Sequence, residues 1–76
     1  MWKLIDSDAL LEQLKIGYLI SEKTAPESSF QITQINDNGI ITAVKTNVQG
    51  DMIIFPKKDL MEAKWWVYEN YESALF

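Results

Sequence analysis

Phe30-Gln31-Ile32-Thr33-Gln34-Ile35-Asn36-Asp37-Asn38-Gly39-Ile40-Ile41-Thr42-Ala43-Val44-Lys45-Thr46 is the stretch on which the reading of this chain turns. Two runs rich in β-branched residues flank Asn36-Asp37-Asn38-Gly39, and such side chains fit a pleated, half-buried surface. The tetrapeptide suits a type I turn that begins with Asn and ends with a left-handed Gly, closing a three-residue hairpin loop with a bulge. Counting outward from that loop pairs Ile32 with Val44 and sets Ile35 opposite Ile41. It puts Phe30, Ile32, Ile40 and Val44 on the core face, and Gln31, Thr33, Ala43 and Lys45 on the other.

Downstream, Val48-Gln49-Gly50-Asp51 turns the chain into a third strand, Met52-Ile53-Ile54-Phe55. Its unbroken apolar character implies burial on both faces, or one face on the core and one on a partner. Pro56 suits the first position of a helix. Leu60, Ala63, Val67, Tyr71 and Ala74 then recur at helical spacing, predicting a helix over Lys57 to Ala74, either continuous or interrupted near Trp65-Trp66. Upstream, Asp6-Ser7-Asp8 supplies cap oxygens and Leu10, Leu11 and Leu14 an apolar stripe, predicting a helix over Ser7 to Ile16 that ends at Gly17. Tyr18-Leu19-Ile20 reads as a short strand or an apolar tether, and Ser21 to Ser29 as a polar loop around Pro26. The expected fold is α+β in the order α-β-β-β-α: a three-stranded antiparallel sheet with two helices packed on one face. It forms one compact domain over residues 1–76.

Composition excludes more than the motifs include. The 76 residues contain no histidine, cysteine or arginine. There is therefore no side chain titrating near neutrality, no thiolate and no guanidinium fork. Asp6, Asp8 and Asp51 lack the spacing of a calcium loop, and the three glycines are isolated, so no phosphate-cradling loop is present. The expectation is a non-enzymatic chain without cofactor or metal. Eleven acids against seven lysines, a net charge of −4, disfavour nucleic acid as a partner. Apolar runs of four residues or fewer exclude a membrane-spanning helix. An acid at position 6 argues against a signal peptide, so the chain is expected to be cytoplasmic.

The residues left for function are apolar. Adjacent Trp65 and Trp66 point in different directions on a helix, and aromatic residues are enriched in interfaces. Ile53, Phe55, Trp65, Trp66 and Tyr68 are the candidate interface. Two helices over three strands leave part of the aromatic set Trp2, Phe55, Trp65, Trp66, Tyr68, Tyr71 and Phe76 uncovered, and exposed apolar patches mark contact surfaces. The function expected is a small interaction module that binds a protein partner, a second copy of itself as a homodimer, or both. Lys45, Lys57 and Lys58 are the candidate phosphate contacts of an alternative reading. The order helix, three antiparallel strands, helix, with Lys57-Lys58 opening the last helix, resembles the double-stranded RNA-binding domain. That resemblance implies a nucleic-acid-binding module. The chain departs from the family in lacking a loop histidine, the small-residue pattern after the lysines and a positive charge. An acidic inhibitor that mimics nucleic acid is the remaining alternative.

Overall fold

The computed structural model describes residues 1–24, 26–46 and 50–69. Within them the chain runs β1 (Trp2–Leu4), α1 (Asp8–Glu12), β2 (Leu19–Ser21), a 3-10 turn (Pro26–Ser28), β3 (Phe30–Ile35), β4 (Ile40–Lys45), β5 (Met52–Pro56), α2 (Lys58–Glu62) and β6 (Trp66–Tyr68). The six strands form one antiparallel sheet in the order β1-β6-β2-β3-β4-β5. The expected three-stranded sheet with two packed helices is thus corrected to a small α+β domain that is mostly sheet, with two helices of five residues each. The strand order of the double-stranded RNA-binding domain goes with it.

The hairpin loop forms as the tetrapeptide dictates. The Gly39 amide donates to the Asn36 carbonyl at 3.0 Å, and Gly39 is left-handed at φ 78°. The Asn36 side-chain oxygen accepts from the amides of Asn38 and Ile40, both at 2.9 Å. Ile35 faces Ile41, but Ile32 faces Ala43 and not Val44, because the register slips by one between Ile32 and Gln34. Phe30, Ile32 and Ile35 all turn toward the core, and their spacing breaks strict alternation by one residue. A bulge absorbs that residue. On β4 the faces are the reverse of those counted: Ile41 and Ala43 are fully buried, while Ile40 and Val44 lie outside the core cluster.

Helix α1 starts on Ser7, whose Oγ accepts from the Leu10 amide at 3.3 Å. It stops four residues before Ile16, the expected end, because the chain must reverse into β2. The Tyr18 amide donates to the Lys15 carbonyl. The Gly17 amide then donates to the Ile32 carbonyl at 2.7 Å, and the Ile32 amide to the Tyr18 carbonyl at 2.9 Å. Two residues thus oppose one, with a left-handed glycine (φ 100°) first, which is a glycine-type bulge.

The larger correction is the last helix. Pro56 ends β5 instead of opening α2, and α2 ends at Glu62. The Trp65 amide donates to the Leu60 carbonyl at 2.9 Å and the Lys64 amide to the Met61 carbonyl at 3.3 Å, with Lys64 left-handed at φ 59°. This is the Schellman stop, built on lysine where glycine is usual. The chain leaves it extended, and Trp66-Val67-Tyr68 enters the sheet between β1 and β2. The rest of the expected helix, with Tyr71 and Ala74, lies outside the described residues, as do Val48 and Gln49 of the expected turn.

One core results, formed by Ile5, Leu11, Leu14, Tyr18, Ile20, Ile32, Ile41, Ala43, Leu60 and Val67. Buried Ser21 and Ser29 are satisfied locally: Ser21 Oγ donates to the Ser28 carbonyl and accepts from the Lys23 amide, and Ser29 Oγ meets Thr46 Oγ1 at 3.2 Å.

The two left-handed residues predict substitutions of opposite sign. Gly39→Ala should destabilise by about 1 kcal/mol, since a Cβ opposes that conformation. Lys64→Gly should stabilise by about 0.5–1 kcal/mol by relieving it. A helix continuing through position 64 would instead lose about 1 kcal/mol to the glycine. Urea midpoints of the two variants distinguish the cases.

Candidate functional site

The sheet has a face that the helices do not cover. In an antiparallel ladder, directly opposed residues share a face, so the register draws one transverse row: Trp2, Tyr68, Leu19, Gln31, Val44 and Met52. Five of the six are apolar or aromatic, and Trp2 and Tyr68 meet edge-to-face with centroids 5.4 Å apart. None of the six belongs to the core cluster. Ile54, opposite Thr42, adds to the same face at the β5 side. At that edge Met52 and Ile54 are 57 % and 62 % exposed.

β5 is an edge strand, and its backbone shows which groups are free. The Lys45 amide donates to the Asp51 carbonyl, and the Lys57 amide to the Gly39 carbonyl. Odd-numbered residues of β5 therefore direct their backbone toward β4, and Met52, Ile54 and Pro56 direct theirs outward. Pro56 has no amide hydrogen, so among the described residues the outward-directed donors of this edge are those of Met52 and Ile54.

Under that edge, on the helix side, lies a cleft of about 340 Å³ lined by Ile53, Ile54, Phe55, Asp59, Leu60, Ala63 and Trp65. Trp65 closes one wall, with its ring 6.3 Å from Phe55 and 6.1 Å from Phe30. The Schellman stop positions it there, because the residue after the left-handed position packs back toward the helix.

The structure brings three of the five candidate interface residues together, Ile53, Phe55 and Trp65, in this cleft. Trp66 and Tyr68 go elsewhere, to β6, about 19 Å away across four strand spacings. Met52, Ile54 and Leu60 belong to the site and were missed. Pro56 carried the signal, since proline in a strand marks an edge.

The lysines do not converge. Lys45 lies at the Asp51 end of the β4–β5 ladder and Lys57 at the Gly39 end, about 20 Å apart along the strand. Lys45 Nζ sits 4.9 Å over the Phe30 ring, and Lys57 Nζ pairs with Glu12 at 3.1 Å. Lys58 lines a shallow depression with Asn38, Gly39, Pro56 and Lys57. Among the described residues no three acids gather as a metal site, and no helix is long and apolar enough to cross a membrane. Asp6 and Asp8 flank the cap of α1, whereas Asp51 precedes β5 at the far edge of the sheet.

Comparison with protein-family models, curated proteins and solved structures finds no match to this chain.

If Ile54 serves contact and not folding, replacing it should leave the fold intact. Ile54→Lys is expected to change stability by no more than about 0.5 kcal/mol in dilute protein, as for an ordinary surface site. Ile41→Ala, one strand away and fully buried, should cost about 2–5 kcal/mol. Urea denaturation of both variants checks the contrast.

Proposed function

We propose that this chain is a non-enzymatic interaction module that binds protein through the β5 edge and the cleft beneath it. The observation that carries the reading is the coincidence, on one strand, of unpaired backbone donors, two exposed apolar side chains and an adjoining apolar cleft. An edge of this kind recognises an extended segment: main-chain hydrogen bonds supply affinity, and alternate side chains enter the cleft or lie on the outer face. Native edges are usually blunted by charge or a bulge. Among the described residues the blunting of β5 is confined to Pro56 at its end.

The nucleic-acid reading has less behind it. Its three lysines lie at two ends of a ladder, and one is paired with Glu12. Cytoplasmic residence belongs with the interaction reading as an expectation from composition.

The test is retention of protein from a host-cell extract by the immobilised full chain, with the Ile54→Lys chain as control. The reading requires a protein, its own copies included, held by the first and released by the second. Equal retention by both would place contact elsewhere and overturn it. In parallel, affinity for random duplex DNA or RNA at ~150 mM salt should be weaker than about 10 μM. Sub-micromolar binding with a steep salt dependence would replace this reading with the nucleic-acid one.

A further inference from the structure

We infer that the occupant of the β5 edge is β5 of a second copy, paired antiparallel across a two-fold axis at Ile53. This deepens the interaction reading above and rests on it.

The free backbone groups select the register. Only Met52 and Ile54 present outward amide hydrogens. Pairing Met52 with Ile54 of the second copy, and Ile54 with its Met52, engages all four of those donors and the four matching carbonyls. Shifting the axis to Ile54 would instead set Met52 against Pro56, which has no hydrogen to give. The register with Ile53 on the axis is therefore the self-complementary one.

The side chains agree with it on both faces. On the outer face, Met52 of each copy lies beside Ile54 of the other, so the two most exposed large side chains of the edge cover each other. On the helix side, an axis perpendicular to the sheet keeps both α2 helices on the same face. The two clefts then join into one, with an Ile53 from each copy at its floor and Phe55, Leu60 and Trp65 along its walls.

Charge adds direction. Asp51 precedes β5, and Lys57-Lys58 follows it. Antiparallel pairing places Asp51 opposite Phe55 of the second copy, so the acidic start of each strand approaches the other's basic end, where Lys57, paired with Glu12 of its own copy, is followed by Lys58. Parallel pairing would set acid beside acid and lysine beside lysine. The acidic start and basic end make the strand complementary to its own reverse.

The natural absence of cysteine makes the register directly readable. Residue 53 directs its backbone toward β4, so the Ile53 pair is non-hydrogen-bonded, with Cα atoms about 4.5 Å apart, within disulfide reach. Light scattering of the wild-type chain over a wide dilution series should show monomer converting to dimer. Ile54→Lys, which sets two lysines into the pairing, should raise the dissociation constant about tenfold or more while its far-ultraviolet circular dichroism stays unchanged. Under mild oxidation, Ile53→Cys should form a covalent dimer, and faster than Ile54→Cys. Faster linkage of Ile54→Cys, or a dimer that survives Ile54→Lys and links at neither position, would overturn this geometry. A monomeric mass at every concentration would also overturn self-pairing. Extract capture lost on Ile54→Lys would then show that the edge takes another protein, whereas absence of both would remove the interaction reading itself.

Discussion

The insertion of Trp66-Val67-Tyr68 between β1 and β2 is the constraint on which the rest of the sheet depends. β1 has β6 as its partner in the sheet, and β2 meets β6 on one side and β3 on the other. Remove β6 and the first strand has nothing to pair with, while the four-strand meander from β2 to β5 keeps an open apolar flank. Val67 is the side chain that makes the insertion worth its loop-closure entropy: it is buried opposite Ile20 and joins the core with Ile5. The Ile5 amide, donating to the Trp65 carbonyl at 2.9 Å, carries the β1–β6 pairing one residue further. All of this requires α2 to stop on time. A lysine held left-handed at position 64 is how it stops.

That stop explains what could and could not be read in advance. The hairpin of β3 and β4 was legible because its turn chemistry is local and specific: Asn at the first position and Gly at the last leave few alternatives. Its core face was not, because the count assumed unbroken alternation. The 30, 32, 35 spacing of core residues held the correction, and a bulge is the cheapest way to satisfy it. The end of the chain misled for a different reason. Leu60, Ala63 and Val67 fit a helical period, but they also fit a short helix that ends at Trp65, followed by a strand in which Val67 faces the core and Trp66 and Tyr68 face away. Three-residue strands such as β1, β2 and β6 are too short for periodicity to separate from a helical turn. A Schellman stop without glycine leaves no mark in the sequence.

Ile53, Phe55 and Trp65 were legible as a set because apolar strands and tryptophans attract attention wherever they fall. Their meeting in one cleft depends on α2 folding back over β5, which the long-helix reading precluded. Trp66 and Tyr68 were grouped with them through that assumed helix. Trp65, at the helix stop, lines the cleft, and Trp66, the first residue of β6, faces the outer side, so the pair divides between cleft and outer face.

The two edges of the sheet are handled differently, and the difference bears on function. At β1 the boundary carries charge: Lys3 Nζ pairs with Glu69 at 2.9 Å, on the face opposite the Trp2–Tyr68 contact. Charged side chains on an edge oppose the approach of another strand. Among the described residues β5 has no such guard along Met52 to Phe55, and its alternation divides the work of one strand. Ile53 and Phe55 direct their backbone to β4 and their side chains to the core, which ties them to folding. Met52 and Ile54 direct their backbone outward and their side chains into solvent, and the described structure asks nothing further of them. An apolar pair that folding does not need, next to donors that folding does not use, is the arrangement expected where selection acts on contact. A chain of this size buries only about 60–65% of its unfolded surface. For such a chain, an edge that completes itself against another strand extends the sheet and buries apolar surface that a lone domain leaves in water.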